Sequence, residues 1–139
     1  MNNFNKIKNH LKNNGYKFNN SNIGTHDIYG PVLLDPVGED AHLGVRLSKF
    51  YPININNQTY ADKIELYKLV NKANRTLIGG TVYFDNSDFE FGMGLSFLYL
   101  GEYDKNYFNK TLDIYHLDTN KMYDFDFKPY IAWFENIIL

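Results

Sequence analysis

Three pairs of an imidazole and a carboxylate lie close together in the sequence, and such a pair can act as a general base and the group that orients it. The pairs are His26 with Asp27, His42 with Asp40, and His116 with Asp113. Asp40 and His42 would share a face on a strand, as Asp113 and His116 would on a helix. The pairs support one hypothesis for the function, a small hydrolase or nuclease. An ordinary surface hydrogen bond explains Asp40 and His42 equally well.

Other signatures of chemistry are missing from the sequence. Asp113 and His116 are only two ligands and lack the additional ligating position of a zinc motif. The segment Gly94-Leu95-Ser96-Phe97 lacks the second glycine of a nucleophile elbow, and no phosphate-binding glycine loop opens a helix. The chain has no cysteine, which excludes thiolate metal sites, a disulfide scaffold and a cysteine nucleophile. We therefore expect neither a metal nor a cofactor.

The stretch from residue 85 to residue 126 is acidic and rich in aromatic rings. It holds nine carboxylates against three lysines, a local balance of −6. Such a surface attracts a basic partner and then holds it by burying the rings. The residues predicted to bind this partner are Asp85, Asp88, Glu90, Glu102, Tyr103, Asp104, Tyr123, Asp124, Phe125 and Asp126. The alternative is a solvated acidic half whose rings lie in the core.

Length and composition indicate one domain over residues 1–139. A hydrophobic fraction of 44% is enough for a core, and a net charge of −2 argues against an autonomous nucleic-acid binder. The first fifteen residues are polar and carry lysines, so we expect no signal peptide there. No apolar stretch approaches the roughly 20 residues of a membrane-spanning helix. We expect a cytoplasmic protein with no membrane partner.

The first half of the chain is predicted to form one helix and three strands. Phe4, Ile7 and Leu11 have helical spacing, and Asn13 to Gly15 end that helix. The three strands are predicted at residues 16–18, 28–34 and 43–47. Prolines 31 and 36 cannot donate to a central ladder, which places the second strand at an edge or a bend.

The second half is predicted to hold a long helix, a hairpin and two further helices. Thr59 and Asp62 resemble a capping box, and an apolar stripe runs from Leu66 to Leu77. A strand at 81–84, a turn at 86–88 and a strand at 89–97 follow, then a helix at 107–115 and a last helix opening at Pro129. The last helix would carry Ile131, Phe134 and Ile138 on one side. Gly92 and Gly94 leave one face of the 89–97 strand bare, so a bend or the close approach of a backbone or ligand is expected there.

This order predicts an α+β fold in which an antiparallel sheet is covered by helices, α-β-β-β-α-β-β-α-α. The strand at 89–97 is expected to pack on the helix at 66–77 as the centre of the core, because its five apolar positions would otherwise lie in water.

The second helix and the following strand also carry a family resemblance. Leu66-Tyr67-Lys68-Leu69-Val70-Asn71-Lys72-Ala73-Asn74-Arg75, a glycine, and Thr81-Val82-Tyr83-Phe84-Asp85 resemble the YbjN-like family, whose fold is that of type III secretion chaperones. The order of elements over roughly residues 1 to 138 is similar, and residues 28 to 47 depart from it. The resemblance implies a binding module without catalytic residues, because proteins of that fold act by holding another polypeptide.

The leading hypothesis is a non-enzymatic protein that binds another, basic protein stoichiometrically. It would act as a chaperone-like adaptor or as an immunity protein that neutralises a toxin domain. The hydrolase or nuclease is the alternative, and self-association through a sheet edge to a homodimer stays open as a third.

Overall fold

The computed structural model describes residues 1–51, 59–84, 93–125 and 127. Within these ranges the chain forms three α-helices, α1 (Asn3–Asn13), α2 (Tyr60–Thr76) and α3 (Lys105–Lys121). The strands of the same ranges are β1 (Lys17–Phe18), β2 (Ile23–His26), β3 (Gly30–Val37), β4 (Gly44–Tyr51), β5 (Gly80–Phe84) and β6 (Met93–Leu100). Short 3-10 turns lie at Glu39–Ala41 and Met122–Asp124.

The strands form one antiparallel sheet in the order β1-β2-β3-β4-β6-β5, so the predicted α+β class is confirmed. The first half holds one strand more than predicted. Strand β2 has only four residues, with a glycine and a histidine among them, and its composition gives no period-two signal. The predicted turn at 86–88, the start of the predicted strand at 89–92 and the predicted helix from Pro129 lie outside the described residues.

The proline-bearing strand is predicted at an edge or a bend, and the edge is wrong, because β3 lies between β2 and β4. The amide of Leu34 donates to Asn22, so even-numbered amides of β3 point towards β2 and odd-numbered ones towards β4. The backbone nitrogen of Pro36 points towards β2, but beyond the end of that short strand. The backbone nitrogen of Pro31 points towards β4, but the pairing of β3 with β4 begins only at Leu33. Neither proline removes a ladder hydrogen bond, so both fit inside the sheet.

The predicted helices begin and end for the expected reasons. The Thr59 side chain accepts the Asp62 amide at 3.2 Å and caps α2. Helix α1 ends at Asn13; the amide of the following residue, Asn14, donates to the Leu11 carbonyl, and the Gly15 amide donates to the Lys12 carbonyl. Helix α3 is longer than the predicted 107–115, because Asp104 caps its start and the helix continues to Lys121.

Two apolar clusters on one face of the sheet form the core. The first joins α2 to β5 and β6 and contains Leu66, Val70, Ala73, Val82, Met93 and Leu95. The second joins α1 and α3 to the middle of the sheet and contains Ile7, Leu11, Leu34, Leu47, Phe97, Phe108 and Tyr115. The predicted packing of α2 on the strand that ends at Phe97 is confirmed for residues 93 and 95. We call this covered side the inner face.

The bare position predicted on β6 is filled by an aromatic ring. Gly94 lies opposite Tyr83 in the register, and a Cβ at Gly94 would come within 2.6 Å of the Tyr83 ring. A cross-strand side chain occupies the place predicted for a bend, a backbone or a ligand.

A buried carboxylate holds the turn between α2 and β5. Asp118 of α3 is fully buried, and its two oxygens accept the amides of Ile78, Gly79 and Gly80 at 2.7–2.8 Å. These amides follow the end of α2, where backbone donors have no partner within the helix or the ladder. Asp118 therefore fixes α3 against the start of β5.

We expect Asp118→Asn to lower the free energy of unfolding by about 2–4 kcal/mol, because its NH2 group would face backbone donors in a buried place. The matched control is Asp113→Asn on the exposed side of the same helix, expected to change stability by less than about 0.5 kcal/mol. Urea denaturation measures both. Equal losses for the two variants would show that Asp118 does not anchor the turn.

Candidate functional site

The residues predicted to bind a basic partner do not form one surface in the described part of the chain. Asp85, Asp88, Glu90 and Asp126 lie outside the described residues. Glu102, Tyr103 and Asp104 precede α3, whereas Tyr123, Asp124 and Phe125 follow it. The 17 residues of α3 hold the two groups about 25 Å apart.

Several of these side chains have structural partners. The Tyr103 hydroxyl lies 2.8 Å from His10 Nδ1, and Asp104 accepts the Tyr107 amide at 2.8 Å as the cap of α3. Phe125 is only 8% exposed and belongs to the first core cluster, so its ring is not an available surface anchor. Glu102, Tyr123 and Asp124 are exposed. Asp118, counted in the acidic balance, is buried.

The predicted pairing of Asp40 with His42 on a strand is wrong. Asp40 lies in the 3-10 turn Glu39–Ala41, with a φ of 53°, and His42 follows that turn. The His42 ring lies 3.0 Å, through Nδ1, from the Glu39 carbonyl. Gly38, with a φ of 79°, turns the chain here and breaks the period-two pattern that suggested a strand.

The other two predicted histidines do come together, across ninety residues of chain. His26 of β2 and His116 of α3 have ring centroids 5.9 Å apart on the inner face. Tyr29 stacks on His116 at 3.7 Å with an interplanar angle of 2°, and the Tyr16 hydroxyl shares a 2.7 Å hydrogen bond with His116 Nε2. Lys49 of β4 donates to the Tyr29 carbonyl. We call Tyr16, His26, Tyr29, Lys49 and His116 the ring cluster.

Burial sets the protonation of the ring cluster. It lowers the pKa of His116 to about 4; the electrostatic influence of His26 and, more weakly, that of Lys49 act in the same direction, and Asp113 opposes them. Burial also lowers the pKa of Lys49 to about 8 and raises the pKa of Tyr16. At neutral pH the imidazole of His116 is therefore neutral and the Tyr16 hydroxyl keeps its proton.

The ring cluster is packed rather than open. Tyr16 and Lys49 are 2% and 4% exposed, so a substrate reaches neither without displacing the rings around them. His26 Nδ1 accepts the amides of Ile28 and Tyr29, which leaves that nitrogen unable to act as a base. Asp113 is exposed and acts on His116 through its charge alone. In the described ranges no group of three His, Asp or Glu side chains is placed to hold a metal ion.

The opposite face of the sheet carries apolar side chains without a covering helix among the described residues. Alternation along the strands places one set of residues there, on what we call the outer face. Its apolar members outside both core clusters are Ile23, Leu33, Val37, Leu98 and Leu100, while Phe50 of the same set packs against the first core cluster. Leu98 and Leu100 are 43% and 60% exposed. Ser48 in the middle of this face is only 2% exposed, so the part open to water is the end that carries Leu98, Leu100 and Arg46. An antiparallel sheet normally turns polar residues to water, so two exposed leucines there are unusual.

The outer face has a gap between two of its leucine and valine side chains. Leu100, Gly44 and Val37 are directly paired across β6, β4 and β3. Gly44 has a φ of 134°, and a Cβ there would lie 2.0 Å from the Tyr99 carbonyl oxygen, so only glycine fits. The Cα atoms of Leu100 and Val37 are therefore about 10 Å apart, with only Gly44 between them in the register. Because Gly44 is buried, the apolar surface available to a partner here is that of Leu100 and its neighbour Leu98.

Charges border this gap. In the next row Leu98 is paired with Arg46, and Arg46 with Asp35. Arg46 is exposed and Asp35 is half-buried. The only ion pair of 4.0 Å or less within the described ranges is Lys68 with Glu65, so Arg46 and Asp35 do not neutralise each other in direct contact.

Sequence reasoning found the strands of the outer face except β2 but missed the face itself. The alternation of Leu43, Val45 and Leu47 with Gly44, Arg46 and Ser48 predicted one wet side, which suggested a polar surface. The signal that could have revealed it is the run Phe97 to Leu100, which is apolar on both faces of one strand.

Comparison with protein-family models, with curated proteins and with solved structures gives no match. The resemblance to the YbjN-like family therefore stays a prediction. Helices α1, α2 and α3 are each too short or too polar to span a membrane, and this holds for the described ranges.

We expect stability to fall as the pH drops from 7 to 5, because the unfolded chain protonates His116 near pH 6.5 while the folded chain resists until about pH 4. The contribution of His116 is about 1–2 kcal/mol, since water partly screens its half-buried ring. Urea denaturation at both pH values measures the difference. In His116→Phe, the loss of stability between pH 7 and pH 5 should be smaller by this amount. A loss equal to that of the unsubstituted chain would contradict the assignment.

Proposed function

We propose that the chain is a non-catalytic module that binds one other polypeptide stoichiometrically on its outer face. The observation that carries this proposal is the apolar row of Leu98, Leu100 and Val37 on a sheet whose described helices all lie on the opposite side. Burying apolar area of this kind stabilises a complex by about 25 cal/mol per Å² before the costs of association.

The chemistry of the face favours a different protein as partner over a second copy of the chain. Polar and charged side chains, Asp35, Arg46, Ser96 and Thr81, alternate with the apolar ones in the same register. Interfaces between independently folded partners have this mixed character, whereas obligate homodimer interfaces are more apolar. We expect the partner to pack apolar side chains on Leu98 and Leu100 and to place a carboxylate against Arg46.

This arrangement suits a chaperone-like adaptor, which holds an amphipathic segment of its client. The immunity protein is the second form of the same activity, and it depends on the acidic stretch, of which Glu102, Tyr123 and Asp124 are exposed. A basic, folded toxin domain as the partner in the complex would favour the immunity protein over the chaperone-like adaptor. A catalytic role receives less support, because the Tyr16 hydroxyl and His116 Nε2 are bonded to each other and Lys49 is enclosed.

Site-specific photo-crosslinking in the cells that make the protein tests the proposal. A crosslinking amino acid at Leu98 should give one heteromeric product with one partner per chain by native mass spectrometry. The matched control is Leu117, which is 46% exposed on α3 at the helical side of the molecule, and it should give no such product. Equal products from both positions, or only a product of twice 16.3 kDa, would contradict the proposal.

Substitution of the outer face should separate binding from folding. We expect Leu100→Lys to reduce the yield of the Leu98 crosslink at least tenfold while the free energy of unfolding changes by less than about 0.5 kcal/mol, because Leu100 is 60% exposed. The inner-face variant Leu95→Ala should cost about 2–5 kcal/mol. Urea denaturation measures both stabilities. A large loss of stability in Leu100→Lys would show that part of the chain itself covers the outer face.

A further inference from the structure

A second feature of the molecule is an open, polar cleft of about 510 Å³ between α1 and the start of α3. It is remote from the outer face, because both helices pack on the inner face. The side chains that matter for its chemistry are Lys6, Asn9, His10, Asn13, Lys105 and Asn109. The proposed docking of a polypeptide does not involve this cleft.

The charges around the cleft have one sign. Lys6 and Lys105 line it, and within the described ranges none of its lining residues is a carboxylate. Lys105 is also the first residue of α3, so the positive end of the helix dipole lies beside it. The Asp104 carboxylate caps this helix from outside the lining and accepts the Tyr107 amide. The cleft therefore favours an anion.

A buried imidazole at the base of the cleft has one nitrogen without a partner. His10 is 6% exposed, and its Nδ1 lies 2.8 Å from the Tyr103 hydroxyl. Its Nε2 is buried and makes no hydrogen bond of good geometry with any described residue, although the Asn109 side chain lies near it. A buried polar atom left unbonded costs about 1–3 kcal/mol, and a bound group that supplies the missing partner removes this cost.

The tautomer follows from the Tyr103 contact. When the Tyr103 hydroxyl donates to Nδ1, the proton of neutral His10 is on Nε2, which then becomes a donor near Asn109. Two ammonium groups and one imidazole N–H are the donors that oxygen atoms of an anion require. The amides of Asn9, Asn13 and Asn109 offer both donors and acceptors, which suits hydroxyl groups.

We propose that this cleft binds a small phosphate ester whose remaining part carries hydroxyl groups. Lysine binds phosphate as a point charge, whereas a planar carboxylate is better recognised by the fork of an arginine, which the cleft lacks. The phosphate lies between Lys6 and Lys105, and the hydroxyl groups lie along the asparagines of α1.

Isothermal titration calorimetry with the full chain tests this site, with glucose 6-phosphate as the probe and glucose and inorganic phosphate for comparison. Glucose 6-phosphate should bind more tightly than inorganic phosphate, and glucose at the same concentration should give no heat of binding. Lys6→Gln and Lys105→Gln should each weaken the affinity about tenfold, the effect of losing one charged hydrogen bond. Lys110→Gln, exposed on α3 outside the cleft, should change it less than twofold.

Three results would overturn the proposal. The first is an absence of heat with glucose 6-phosphate at about 10 mM, which is about the weakest affinity worth measuring. The others are an affinity for glucose equal to that for glucose 6-phosphate, and an equal loss of affinity in Lys110→Gln and Lys105→Gln. Because the crosslinking at Leu98 does not depend on the cleft, either proposal can fail while the other stands.

Discussion

The central constraint on this protein is that strand β6 is apolar on both sides from Phe97 to Leu100, while the described helices cover one side. Strands β4 and β6 pair along eight residues, from Gly44 with Leu100 to Tyr51 with Met93. Their inner residues, such as Leu47 and Leu95, are fully buried under the helices. The period of two in a strand sends their neighbours to the opposite side, so the same pairing that builds the core also builds the outer face.

Most of the polar side chains that could indicate a catalytic site are hydrogen-bonded within the packing of the inner face. Asp118 accepts hydrogen bonds from three backbone amides. In the ring cluster, Lys49 donates to the Tyr29 carbonyl, and the Tyr16 hydroxyl is hydrogen-bonded to His116. A shifted pKa often marks a functional site, but ion-pair and hydrogen-bond networks inside a core shift pKa values too. Here the shifted groups are enclosed. The accessible features are instead the outer face and the polar cleft beside His10, which both favour binding over catalysis.

The parts of the fold that local rules determine could be predicted from the sequence. Thr59 and Asp62 define the start of α2 by capping, and the stripe from Leu66 to Leu77 defines its buried side. The α+β class follows from the order of such elements. Strand β2 could not be predicted, because a four-residue strand is stabilised by its pairing with β3 and not by its own composition.

Long-range contacts account for the rest of what sequence reasoning missed. Nothing local indicates that His26 and His116 approach across ninety residues, or that the positions of Pro31 and Pro36 leave the ladder intact. The acidic stretch predicts one surface because its residues are close in sequence. The length of α3 separates the described members, and core packing takes Phe125 and Asp118 out of the surface.

The openness of the outer face can be measured directly by methyl NMR with a soluble paramagnetic gadolinium chelate. In the free chain, the methyl groups of Leu98, Leu100 and Val37 should relax strongly, while those of Leu47 and Leu95 should not, because the latter are fully buried. Adding the partner identified by crosslinking should protect the first three. Outer-face methyl groups that are already protected in the free chain, or that stay exposed in the complex, would contradict the account.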